Sequence, residues 1–205
     1  MTALQHLRRD TRASSAAEFA LVLPVFLLLL LGTIDIGRYM WNVGQLEKAT
    51  QMGARYAVVT DMVPSDLYSY SFAISGGIPQ GTVVPQTSFP GVSCSSDGQT
   101  VTCTCASGGN CSFGLTANAT AFNNVVGRMN SIYRGIGSDD VIIEYRWSGL
   151  GYAGDPNGSD VDPIVTVAVR NQGFRPLAFG TLRTVGLPGT SHSLTMEDGE
   201  GTQGN

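Results

Sequence analysis

The chain has 205 residues, 42% of them hydrophobic and 14% charged, with a formal net charge of −4. That length holds one modest domain and an anchor rather than two full domains. Beyond Arg12 the balance is acidic, which excludes a broad basic footprint for nucleic acid. The two histidines, His6 and His192, sit in the leader and near the tail. With no P-loop, G-x-S-x-G or H-E-x-x-H pattern, the chain offers no catalytic constellation, and neither an enzyme nor a cofactor is expected.

Residues 1–13 form a basic leader, with Arg8, Arg9 and Arg12 opposed only by Asp10. From Phe19 to Ile34 the chain reads FALVLPVFLLLLLGTI without a charge, and extension back to Ala16 adds only Glu18. A helix rises about 1.5 Å per residue, so residues 16–34 cover roughly 28 Å, close to the hydrocarbon thickness of a bilayer. The arginines ahead of this run and Asp35, Arg38, Tyr39 and Trp41 behind it set the leader on the cytoplasmic side and export the remainder. A cleavable secretory signal would end at an A-x-A-like site, and none follows Leu31. Instead Ile36, Tyr39, Met40, Val43, Leu46, Ala49, Thr50, Gly53, Ala54 and Ala57 recur at helical spacing, so the spanning helix of residues 14–59 continues beyond the membrane. Within it, the Glu18 carboxylate is either a headgroup-level charge or a functional one. Pro24 lacks the N–H that Ala20 would accept from, which predicts a kink.

The run from Arg8 to Val58 resembles the N-terminal signature of the TadE-like pseudopilins of tight-adherence pilus systems. The carrying elements are the basic residues Arg8 to Arg12, the small stretch Ala13 to Ala17, Glu18-Phe19, the apolar run Leu21 to Leu31 with Pro24, and Gly53-Ala54-Arg55. The resemblance implies a pilin-like structural subunit in the bacterial inner membrane, cut by a prepilin peptidase between Ala13 and Ser14. Ala13 stands where the family usually has Gly. It also implies that the Glu18 carboxylate pairs with the new amino terminus of an adjoining subunit, and that other pilin-like subunits and the assembly platform are partners. An uncleaved, single-pass envelope domain acting as scaffold or binding module is the alternative.

Residues 60–114 read as a loop-rich segment with, at most, short strands. Cys94, Cys103, Cys105 and Cys111 lie within it among Gly, Ser and Thr, as expected of disulfides in an oxidising compartment. A C-x-C centre does not match the C-x₂₋₄-C pairs of structural zinc sites. Bridging Cys103 to Cys105 would be strained, so Cys94 pairs with one of them and Cys111 with the other, two options that the sequence leaves open. Asp97-Gly98 predicts a hairpin turn between them, with Val101, Cys103 and Cys105 on one face of the returning strand.

Residues 115–197 predict an α+β domain, a helix packed on an antiparallel sheet. Leu115, Ala119, Phe122, Val126, Met129, Tyr133 and Ile136 have helical spacing. VIIEYRW (141–147), IVTVAVR (164–170) and Ser193 to Met196 are candidate strands. The valine-rich strand adds to the family resemblance, while Leu194-Thr195-Met196-Glu197 lacks the arginine usual there. Asp155, Asp160 and Asp162 in the intervening loop lack EF-hand spacing and read as solvated turn acids. Residues 198–205 form a polar tail.

Overall fold

The computed structural model describes residues 11–177, 184–197 and 199, with side chains from residue 15 onward. Most of the leader and of the polar tail, and the side chains of Ala13 and Ser14, lie outside the described residues.

Helix α1 runs without interruption from Thr11 to Ala57, with Pro24 inside it. Contacts divide the chain into two units: the described residues up to Trp41 with those between Gly173 and Val185, and Asn42–Gln172 with the described residues from Gly186 on. In the second unit α1 buries Leu46, Ala49, Thr50, Ala54 and Ala57. These fall at the i, i+3, i+4 spacing of one helix face, the second half of the predicted stripe. The first half of that stripe differs: Ile36 and Met40 are exposed.

The domain sheet is antiparallel throughout, with strand order β2-β1-β3-β4-β7, where β1 is Val92–Ser96, β2 Val101–Cys105, β3 Val141–Arg146, β4 Ile164–Val169 and β7 Thr190–Thr195. Two short strands, β5 (Gly173–Phe174) and β6 (Val185–Gly186), pair separately. The register aligns Cys103, Cys94, Ile143, Val167 and His192 across the main sheet, so alternate residues form one apolar face. Val141, Ile143, Tyr145, Val165, Val167 and Val169 on that face are buried.

Helices cover it. At Gly53 an added Cβ would meet Met129 Cγ and Sδ at 2.7 Å and Val167 Cγ1 at 3.4 Å, so the missing side chain lets α1 approach both the second amphipathic helix and β4. That helix, α3 (Ala119–Asn130), buries Ala121, Phe122, Val125, Val126 and Met129. It is shorter than the 115–136 periodicity predicts. Asn118 caps its start, its Oδ1 accepting from Ala121 N at 3.0 Å, while Ala117 forms a bridge with Pro64. Past Ser131 the chain turns, yet Ile136 is still buried, so the apolar spacing outlasts the helix.

The segment between Ala57 and β1 contains a short helix, α2 (Ser65–Ser69), in place of the short strands considered for it. It also buries Met62, Val63, Leu67, Phe72, Val84 and Phe89. Two side chains fasten it to the sheet: the Tyr145 hydroxyl accepts from Val63 N at 3.0 Å, and Trp147 Nε1 donates to Val84 O at 2.8 Å. Burial pushes the Tyr145 hydroxyl far above its ordinary pKa, against the opposing effect of the Val63 N–H.

Candidate membrane and assembly helix

Twenty residues, 15–34, rise about 30 Å, the hydrocarbon thickness of a bilayer. Their apolar side chains face outward: Leu21 is 76% exposed, Phe19, Val22, Val25, Phe26 and Leu29 more than half so. A water-soluble unit would bury such a surface, so its exposure calls for lipid or neighbouring helices. Among the described residues this is the one helix long and apolar enough to cross a membrane. Glu18 sits near its start, on an exposed stretch of helix. The missing donor at Pro24 is accommodated within the continuous helix.

Immediately after the apolar run the first unit closes on itself through contacts that the sequence reading missed. Asp35 is 8% exposed. Its Oδ1 accepts from Arg38 Nη1 at 2.9 Å and from the backbone N of Leu177 at 2.8 Å. Tyr39 meets the buried Phe174 ring edge-on at 5.5 Å between centroids, and the Arg38 guanidinium lies 5.2 Å from the same ring's centre. A short arm is thus clasped to helix positions 35, 38 and 39 by a charge-assisted hydrogen bond, an aromatic pair and a cation–π contact. The only sequence sign was a lone carboxylate directly after the apolar run.

In the second unit the cysteines take one of the two anticipated pairings, Cys94 with Cys103 and Cys105 with Cys111. Cys94 and Cys103 are direct cross-strand partners, 4.1 Å apart at Cα. Between them Gly98 adopts a φ of +94°, and the Asp97 carboxylate accepts from Gln99 N at 2.9 Å and Thr100 N at 2.7 Å. Those donors, Thr100 first, hold the Asp97 carboxyl below its usual range. The second disulfide closes a loop at the end of the edge strand β2.

The acidic loop divides its labour. Asp160 is buried and ties two segments together, Oδ2 accepting from Phe72 N at 2.6 Å and Oδ1 from Asp155 N at 3.0 Å. Reading it as a solvated acid is corrected: its carboxylate supplies acceptors to backbone that has no ladder partner. The half-buried Asp162 has its pKa raised by burial first and by the Asp155 charge second. Among the described residues no three His, Cys, Asp or Glu side chains group as metal ligands.

Comparison with known proteins bears on the helix alone. The family model described as TadE-like protein matches residues 13–55. No curated protein and no solved structure matches the chain. The match starts at Ala13, contains Glu18-Phe19 and Pro24, and ends on Gly53-Ala54-Arg55, while the basic residues Arg8 to Arg12 precede it; over this stretch the N-terminal helix of the chain is similar to that of TadE-like proteins.

Proposed function

We propose that this protein is a minor pilin-like subunit, a pseudopilin, of tight-adherence pilus assembly. One observation carries the reading: the exposed apolar helix that includes Glu18 falls inside the TadE-like match. The role is structural, not enzymatic. The helix holds the protein in the inner membrane and then packs against other pilin-like helices, for which Gly32 and Gly37, with open space about them, offer close approach. The basic leader places the N-terminus in the cytoplasm, and the two disulfides favour an oxidising compartment for the domain.

Assembly in this scheme needs a prepilin peptidase to cut between Ala13 and Ser14. The freed ammonium then pairs with the Glu18 carboxylate of an adjoining subunit at the assembly platform, each charge offsetting the other's cost in lipid. Ala13 at the usual glycine position favours a second reading, an uncut anchor carrying an envelope scaffold or binding domain. Mass spectrometry of the N-terminal peptide from membrane-extracted protein, with and without the host's prepilin peptidase, separates them. A peptidase-dependent start at Ser14 is expected. An intact leader in both preparations establishes the uncut anchor instead.

A further inference from the structure

We propose that the arm around Phe174–Leu177, clasped to α1 by Asp35, is a second membrane contact that enters the headgroup layer on the domain's side of the bilayer. The inference rests on the reading of residues 15–34 as the span. Asp35 is the first residue past that span, and its hydrogen bond to the Leu177 backbone fixes the arm at this height. Headgroups add about 5–7 Å to each side of the hydrocarbon, and a helix climbs about 9 Å in six residues, so residues 35 to 41 cross that layer.

What the first unit exposes there fits lipid. Ile36, Met40 and Trp41 on the helix are 64%, 65% and 70% exposed, and Leu177 on the arm is 61% exposed. Ile36, Met40 and Trp41 follow the span directly on the same helix, and Leu177 is tied to that helix at Asp35. Arg38, partly open, and the exposed Arg175 add guanidinium groups at the same level, suited to phospholipid phosphates. An amphipathic surface of aromatic, aliphatic and arginine side chains in the interfacial layer is what headgroups and upper acyl chains accommodate. The clasp also explains an otherwise costly choice: Asp35 at the lipid boundary is shielded and satisfied by the arm instead of facing lipid.

Photo-crosslinking tests this on the full chain in vesicles of phosphatidylethanolamine and phosphatidylglycerol. p-Benzoylphenylalanine replaces Leu177, with Leu28 in the span and Ile74, which is 87% exposed on the second unit, as reference positions. All three sites are open, so the probe is accommodated without repacking. The expected result is phospholipid adducts at 177 and 28, several-fold above those at 74. Lipid adducts at 28 without them at 177 overturn the arm contact while the span stands. Their absence at both positions removes the span reading and this proposal with it. Protein adducts replacing lipid at 177 assign the arm to a neighbouring subunit, and equal lipid labelling at all three sites shows no specific contact; either overturns the proposal.

Discussion

Single side chains in this protein hold irregular backbone in place, as Tyr145, Trp147 and Asp160 each do for the segment ahead of β1. Tyr145 is the clearest case, a buried phenol whose oxygen takes the Val63 N–H. Tyr145→Phe keeps the ring's packing and strands that donor, which costs about 1–3 kcal/mol; a lowered unfolding midpoint in denaturant with unchanged slope checks it. Asp162 should behave in the opposite way. Burial raises its folded pKa above the ordinary aspartate value, so the native state binds the proton more tightly than the unfolded chain and loses stability as pH rises through the folded pKa. Asp162→Asn removes that penalty. The variant should match wild type well below the carboxylate range and melt slightly higher at neutrality, by under about 1 kcal/mol because solvent on the open side screens the charge. Thermal melts of both proteins across that pH range decide it, and a variant less stable at neutral pH refutes the assignment.

At the scale of elements, helix, sheet and disulfide loop each have one vulnerable point. On α1 it is Gly53: Gly53→Leu must displace Met129 and press on Val167, a misfit costing about 1–3 kcal/mol, read as a lower melting temperature with membrane integration intact. For the hairpin, replacing Cys94 and Cys103 together by Ala frees a short loop in the unfolded chain and costs about 2–3 kcal/mol, measurable by chemical denaturation under non-reducing conditions. These elements were legible in the sequence because their signals are local. The period of Leu46 to Ala57, the β-branched run IVTVAV and the Asp97-Gly98 turn each lie within a dozen residues. What was missed is non-local. Phe72, Val84 and Phe89 are core residues with no period between them; Phe72 N donates to Asp160 and Val84 O accepts from Trp147, both partners far along the chain. The Asp35–Leu177 contact joins residues 142 positions apart, so no window of sequence contains both partners. The overlong α3 prediction has the same origin: Ile136 is apolar because the core needs it, and spacing alone cannot say that the backbone stopped being helical at Ser131.

For the molecule as a whole, the proposed role separates two properties of one helix that a charge substitution can pull apart. Insertion depends on the summed cost of moving residues 15–34 into hydrocarbon, to which Glu18 is an unfavourable contribution. Assembly, in the proposed scheme, depends on that same carboxylate meeting the ammonium of a processed neighbour, where loss of one partner leaves the other charge in apolar surroundings. Glu18→Ala should therefore leave membrane integration unchanged or improved, as judged by resistance to alkaline extraction, while sharply reducing sheared pili. Glu18→Gln, which keeps the shape and hydrogen-bonding capacity without the charge, should insert equally well and still assemble poorly. Cleavage at Ser14 must be checked in both variants, because an uncut leader would block assembly for a different reason. Normal piliation from correctly processed Glu18→Ala would mean that the carboxylate is only a headgroup-level charge, and the helix would then serve as an anchor without the pairing step.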